Sequence, residues 1–312
     1  MQPATRLASF AGGLALIFVA AAVAAGAIVP SSVADSWTSS ANRSGTEHTG
    51  DPMHDSTAHS GDHARGHSDA RHAATAPQGV ALERGGYRLA DLNAPATVGR
   101  RGALTFRILD ADSRPVVTYT RTHEKDLHLI VVRSDGAGFR HLHPTLDDTG
   151  RWSVPLTWPT AGSYRVYADF TAAGARTGVT LSRSVEVAGQ YRPDLPAEPS
   201  RTSSVDGFDV TLSGQLEAGA EADLTITVSR DGQPVTTGQP YLGAFGHLVV
   251  LRQGDLAFLH VHPQGAEPTP GRLSGPEIDF MTDVPTPGRY LLYLDFRVDD
   301  QVHTATFVLD AR

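Results

Sequence analysis

The sequence predicts an all-β fold of two tandem antiparallel sandwiches, and three observations predict it. They are an internal repeat, short strand-like runs separated by turn residues, and a Gly-x-Tyr strand opening in each copy. The repeat is collinear. Gly86-Tyr-Arg-Leu89 corresponds to Gly207-Phe-Asp-Val210, and His128-Leu-Ile-Val-Val-Arg133 to His247-Leu-Val-Val-Leu-Arg252. Phe139-Arg-His-Leu-His-Pro144 corresponds to Phe258-Leu-His-Val-His-Pro263, and Tyr164-Arg-Val-Tyr-Ala-Asp-Phe170 to Tyr290-Leu-Leu-Tyr-Leu-Asp-Phe296.

Within each copy, runs rich in Val, Thr, Tyr and Leu alternate with turn signals such as Asp135-Gly136, Asp231-Gly232 and Gly254-Asp255, and no helical period competes with them. Gly162-Ser-Tyr164-Arg-Val166 and Gly288-Arg-Tyr290-Leu-Leu292 have the pattern of a tyrosine corner, in which a tyrosine opens a late strand two residues before a buried position. The sandwiches are therefore expected to be immunoglobulin-like. The expected organisation is a signal peptide or membrane anchor over 1–34, a disordered histidine-rich segment over 35–78, sandwich one over 79–188, a proline-rich linker over 189–204 and sandwich two over 205–312.

Each of the flanking elements has its own reason. Arg6 precedes an uncharged stretch from Leu7 to Val29, about the ~20 residues that cross a bilayer. Cleaved or retained as a hydrophobic helix, it places the rest of the chain outside the cytoplasm, in the cell membrane or secreted. His48, His54, His59, His63, His67 and His72 then alternate with Asp51, Asp55, Asp62 and Asp69 in a segment with too little apolar surface to fold, so weak metal capture is expected there. Pro193, Pro196 and Pro199 make the stretch between the copies a semi-stiff spacer.

Composition narrows the chemistry. The net charge is −8 and Lys125 is the only lysine, so no basic stripe can follow a phosphate backbone and nucleic acid is excluded as a partner. Cysteine is absent, which removes disulfides, thiolate ligands, cysteine nucleophiles and a blue-copper centre. Fourteen histidines remain as the chemically distinctive residues.

Their placement points to metal. With Asp135-Gly136 as a two-residue turn, facing residues have numbers that sum to 271, so His128 lies opposite His143 and Ile130 opposite His141. Side chains alternate between faces, so His128, His141 and His143 share one. With Gly254-Asp255 as the second turn the sum is 509, and His247, His260 and His262 share a face in the same way. Opposed Cβ atoms ~4.5–5.5 Å apart suit imidazoles meeting at one ion with bonds of ~2.0–2.1 Å. Two three-histidine sites are expected, independent of each other because the linker separates them. Neutral imidazole and the intrinsic affinity order favour copper ion first, with zinc or another divalent transition metal as alternatives. Binding should weaken as pH falls through ~6.5 if the ligands are unperturbed.

The neighbours on that face, Ile130, Val132 and Phe139 in one copy and Val249, Leu251 and Phe258 in the other, read as sandwich core. The histidines then extend an inward-facing row to the sandwich rim. Asp169 and Asp295 have the parity opposite Val166 and Leu292 and so fall outside the sites. His123 and His303 have no counterparts in the other copy and are expected at the exposed surface, while Met281 reads as core packing rather than a soft fourth ligand.

The run Asp126-Leu-His128-Leu-Ile-Val-Val through Phe139-Arg-His141-Leu-His143-Pro144, closing on Gly162 to Phe170, resembles exported bacterial YtkA-like and heavy-metal-associated β-sandwich proteins; Tyr241 to Pro263 resembles the actinobacterial version. The resemblance spans both copies. It implies an extracytoplasmic sandwich of the heavy-metal-associated kind. Independently of it, a protein that binds a transition-metal ion outside the cytoplasm has a membrane metal transporter as a candidate partner.

Two other readings compete. A cupin metalloenzyme is suggested by Gly254-x5-His260-x-His262-x4-Glu267, but after Pro287-Gly288 the chain continues Arg-Tyr-Leu-Leu without the histidine of the second cupin motif. With no Gly-x-Ser-x-Gly and no phosphate loop, an enzyme is not expected. A structural or adhesive immunoglobulin-like pair explains the tandem sandwich but not the repeated histidines.

Overall fold

The computed structural model describes residues 77–195, 198–265, 267–269 and 271–312. The apolar run from Leu7 to Val29 and the histidine-rich segment, apart from its last two residues Pro77 and Gln78, lie outside the described residues; among those described, no helix is long and apolar enough to cross a membrane. Both sandwiches belong to one compact unit, Ala70–Arg312.

The first sandwich contains β1 (Glu83–Arg84), β2 (Tyr87–Asn93), β3 (Gly102–Leu109), β4 (Tyr119–Thr120), β5 (Leu127–Arg133), β6 (Arg140–Leu142), β7 (Thr145–Leu146), β8 (Arg151–Leu156), β9 (Gly162–Ala172) and β10 (Val179–Val187). One sheet has the order β1-β2-β3-β8-β7, the other β10-β9-β5-β6 with β4 also on β9. The second contains β11 (Thr202–Val205), β12 (Phe208–Ser213), β13 (Ala220–Arg230), β14 (Gln233–Pro234), β15 (Gly246–Arg252), β16 (Phe258–Leu259), β17 (Val261–Pro263), β18 (Glu277–Val284), β19 (Gly288–Val298) and β20 (Gln301–Ala311). Its sheets are β11-β12-β13-β18-β17, with β14 on β13, and β16-β15-β19-β20. All named strand pairs are antiparallel.

Alternation along the strands builds each core. In β3, Leu104, Phe106 and Ile108 point inward against Val154 and Trp152 of β8 and Leu129 and Val131 of β5; in β13, Ala222, Leu224, Ile226 and Val228 do the same. Both tyrosine corners form: Tyr164 donates its hydroxyl to the Thr160 carbonyl at 3.0 Å, and Tyr290 to the Thr286 carbonyl at 2.7 Å.

The row Ile130 and Val132 is not sandwich core. Strand β5 is buried on both faces: Leu127, Leu129 and Val131 face the first core, whereas Ile130 and Val132 pack with Val249, Leu251, Leu256, Leu291 and Tyr293 of the second sandwich. The two sandwiches therefore meet through their outer faces. Tyr167 donates to the Leu256 carbonyl and Tyr293 to the Gly136 carbonyl, each at 2.6 Å, and Phe139 stacks on Tyr293 with ring centres 4.1 Å apart. The strap before β1 joins in, with the Phe258 amide donating to the Gln78 carbonyl and the Ser182 amide to that of Ala81. The expectation of two sandwiches held apart by their linker is corrected accordingly. An uninterrupted apolar strand, Leu-His-Leu-Ile-Val-Val, carries no parity signal from which its outer face could be told from its inner one.

Candidate metal centre

The hairpin register is as the sequence predicts. Ile130 pairs with His141 and Leu129 with Leu142 in the first copy, and Val250 pairs with Leu259 in the second. The turns are wider than two residues, because an arginine and an aspartate close each loop from inside. Arg133 donates to Asp135 at 2.8 Å and Arg252 to Asp255 at 3.0 Å, and each aspartate also accepts a backbone amide, from Ala137 and Ala257.

In the first copy the hairpin continues through Leu142, and His128, His141 and His143 come together. Their ligand atoms all lie within 4.8 Å of one another, the one such group of three found among the described residues. Ring centres are 5.1 Å apart for His128 and His141, 5.2 Å for His128 and His143, and 4.8 Å for His141 and His143.

In the second copy the predicted trio does not assemble. The strand leaves β15 after Leu259, and β17 joins β18 in the opposite sheet, with Val261 against Thr282 and His262 against Met281. His260 and His262 stay together, ring centres 4.7 Å apart, but both are exposed. His247 instead faces the first sandwich, its ring centre 5.9 Å from that of His141, 6.3 Å from His128 and 5.2 Å from His123. Met281 is half-buried with the outward parity of β18, outside the core that Phe280, Thr282 and Val284 enter.

Three further corrections concern single residues. Asp295 was excluded by parity, but because the histidines occupy the outer face, the same parity brings it to them: its Oδ2 accepts from His141 Nδ1–H at 3.0 Å and its Oδ1 from the Thr304 hydroxyl at 2.6 Å. His123 is half-buried beside His247 and His128 rather than free at the surface. His303 is buried, its Nδ1–H donated to Asp206 at 2.8 Å and its ring set against Phe208 and Phe296. The repeat could have flagged His123, since Thr122 to Lys125 and Tyr241 to Ala244 form equivalent tight turns in which His123 and Leu242 both take positive φ, 50° and 54°.

Hydrogen bonds fix which nitrogens are free. His128 Nε2–H donates to the Thr122 carbonyl at 2.9 Å, leaving Nδ1 as its lone-pair nitrogen. His141 donates through Nδ1 to Asp295, and its Nε2 lies 2.9 Å from His128 Nδ1, a separation at which either Nε2–H donates to the His128 lone pair or an ion takes the place of that proton. His143 Nε2 is buried with no hydrogen-bond partner. Burial first, and then the neighbouring charge of His141, lower the pKa of His128 to about 4 and of His143 to about 3. Burial likewise lowers His247 to about 3, partly opposed by its Nε2–H bond to the Tyr241 carbonyl. These three imidazoles are neutral at pH 7 and can donate a lone pair. His123, His128, His141 and His247 line a cavity of about 240 Å³, with His260 and His262 in its wall.

Residues 82–188 and 203–312 each match one family model, described as a domain of unknown function (DUF8832); the repeat thus falls in this family, and no support for the YtkA-like resemblance accompanies it. No curated protein matches the sequence. Among solved structures, the Yersinia pseudotuberculosis adhesin InvE is similar at 12% identity over 72% of this chain and 57% of its own, with a TM-score of 0.21. This chain therefore spans less than two thirds of the length of that adhesin. The D0-D1 domain of intimin is similar at 13% identity, 72% and 93% coverage and a TM-score of 0.19, and domains 5-6 of the S-layer protein SbsC at 10%, 72% and 94%, and 0.21. Likeness at this level carries no inference about what this chain does.

Proposed function

We propose, on the premise that this chain belongs to the DUF8832 family and carries its domain twice, that it is an extracytoplasmic protein that binds a transition-metal ion, copper first, and is not an enzyme. One observation carries the reading: ring nitrogens of His128, His141 and His143 converge within 4.8 Å of one another, while a backbone carbonyl and a carboxylate occupy the other ring nitrogens of His128 and His141. Metal-ligating histidines are oriented in this way, the outer hydrogen bond fixing the tautomer and raising ligand basicity. Two nitrogens 2.9 Å apart subtend about a right angle at an ion with ~2.05 Å bonds, the cis angle of tetragonal copper(II). The uncharged stretch from Leu7 to Val29 supports an extracytoplasmic location, whether as anchor or signal. Sequestration, or delivery to a membrane metal transporter, are the roles such a site would serve.

A second reading rests on the same 2.9 Å contact. With His141 protonated, its two N–H groups would bond Asp295 and His128, and the histidines would form a polar seal between two structural or adhesive sandwiches. Titration of copper(II) and zinc(II) into the chain with His48, His54, His59, His63, His67 and His72 replaced by serine separates the two. The metal reading expects one tight ion per chain, lost in His141→Ala/His143→Ala. Equal and weak uptake by both proteins would leave the polar seal.

A further inference from the structure

We infer that the metal centre is shared between the two sandwiches, with His247 of the second supplying a fourth imidazole to His128, His141 and His143 of the first. This rests on the metal reading above and assigns the ion a further role, that of a lock on the junction between the sandwiches.

The first argument is tautomeric. His247 stands in the second copy where His128 stands in the first, and each gives its Nε2–H to the carbonyl six residues upstream, Tyr241 at 2.8 Å and Thr122 at 2.9 Å. In each the lone pair is therefore on Nδ1. The repeat has preserved an orientation that makes sense for a ligand, while the partners His247 has in its own copy, His260 and His262, have left with β17.

The second argument is distance. Two imidazoles on one ion with ~2.0–2.1 Å bonds hold their ring centres roughly 4.5 Å apart at a right angle and 6.4 Å apart in line. The separations within the first trio, 4.8 to 5.2 Å, correspond to adjacent positions. His247 lies 5.9 Å from His141 and 6.3 Å from His128, so the point equidistant from the ring centres of these three histidines is about 3.4 Å from each, close to the ~3.2 Å that bonds of ~2.0–2.1 Å require. A small inward movement of the rings would let one ion reach all three, and His128, His141 and His247 line the same cavity.

The third argument is reciprocity across the junction. Asp295 is the register partner of His247 in β15 and β19, yet its Oδ2 holds His141 of the other sandwich. The second sandwich therefore already orients one ligand of the first, and His247 would add a direct bond to the same ion. Binding would then favour the docked arrangement over any separated one, because an ion with a four-imidazole sphere exists only when the sandwiches are docked.

The test uses the full-length chain and half an equivalent of copper(II), read by electron paramagnetic resonance for the number of coordinated nitrogens and by competition for affinity. Wild type should show four nitrogens. His247→Ala and His247→Asn should show three and at least tenfold weaker binding, whereas His260→Ala/His262→Ala should match wild type. Unchanged nitrogen count and affinity in both His247 variants, with binding still lost in His141→Ala/His143→Ala, overturns the shared centre and leaves the three-histidine site standing. Loss of a separate second ion in His247→Ala, with the first unaffected, also overturns it. No copper on the trio in wild type overturns both.

Discussion

Replacing Asp295 by alanine removes a buried carboxylate that accepts two hydrogen bonds, from His141 Nδ1–H at 3.0 Å and from the Thr304 hydroxyl at 2.6 Å. Each donor left unsatisfied in a dry site costs roughly 1–3 kcal/mol, so the metal-free protein should lose about 2–6 kcal/mol of stability. The effect on metal is separate, since loss of an outer-shell carboxylate typically weakens a histidine site by roughly 10–100-fold. Asp295→Asn, which can still accept from His141, should retain more of the stability while losing metal affinity with the charge. Urea unfolding without metal and competition titration with copper(II) read the two quantities independently. Asp169 supplies the control: it occupies the equivalent place in the first copy, bonds Thr180 at 2.6 Å, and its pKa is raised by burial. Because Asp169 bonds Thr180 rather than a histidine, and an asparagine can still accept that bond, Asp169→Asn should change copper affinity far less than Asp295→Asn does. If Asp295→Ala loses stability but keeps wild-type affinity, Asp295 is a packing residue and the carboxylate has no part in orienting the ligand.

Acid should destabilise the metal-free protein early. His128 is lowered to about 4 and His143 and His247 to about 3, so between ~6.5, where the unfolded chain takes up these protons, and those values the unfolded state binds more protons and stability falls with pH. The shift is worth on the order of 3 kcal/mol for His128 alone, and a flat urea midpoint from pH 6.5 to 4.5 would contradict it. Protons should correspondingly not compete with a metal ion for His128, His143 and His247 until the pH is well below ~6.5. Tyr167→Phe and Tyr293→Phe each remove a 2.6 Å bond across the junction and should each cost about 1 kcal/mol or somewhat more, measured by denaturant unfolding. Gly79→Ala should be destabilising, because Gly79 has φ +70° and a Cβ there would come within 2.4 Å of the Phe258 Cβ; wild-type thermal stability would show that the strap moves freely.

Much of this arrangement was legible in the sequence because period-two alternation and a repeat are strong signals. The hairpin sums of 271 and 509 place Ile130 opposite His141 and Val249 opposite His260, and the ladders that form, Ile130 with His141 and Val250 with Leu259, have those sums. The tyrosine corners were legible for the same reason, a fixed offset between a glycine turn, a tyrosine and a core residue. What was not legible was which face of β5 and β15 met the core. Both faces are apolar, since one packs inside a sandwich and the other against its twin, and parity then gives the grouping of residues without its direction. The error ran from there to the exclusion of Asp295 and to the separation of the two histidine sets.

The second trio failed for a different reason. Register says which residues oppose each other but not where a strand leaves its partner. In the first copy the switch to the other sheet comes at Thr145, beyond His143, and in the second at Val261, before His262. The histidines and the proline stand at the same spacing in both copies, and the one difference in type is Leu259, which is buried in the second core where the first copy has the half-buried Arg140. His303 lacks a counterpart in the other copy, which predicts an exposed residue, but Asp206 is placed to accept its Nδ1–H and Phe208 and Phe296 to cover its ring.

Anomalous diffraction from crystals of the full-length chain grown with copper(II) tests the central claim most directly. One strong peak is predicted at the junction of the two sandwiches, at ~2.0–2.1 Å from Nδ1 of His128 and Nε2 of His141 and His143, with Asp295 still on His141 Nδ1. A map without a peak there, or with its only protein-bound copper at the exposed His260 and His262, would contradict the account.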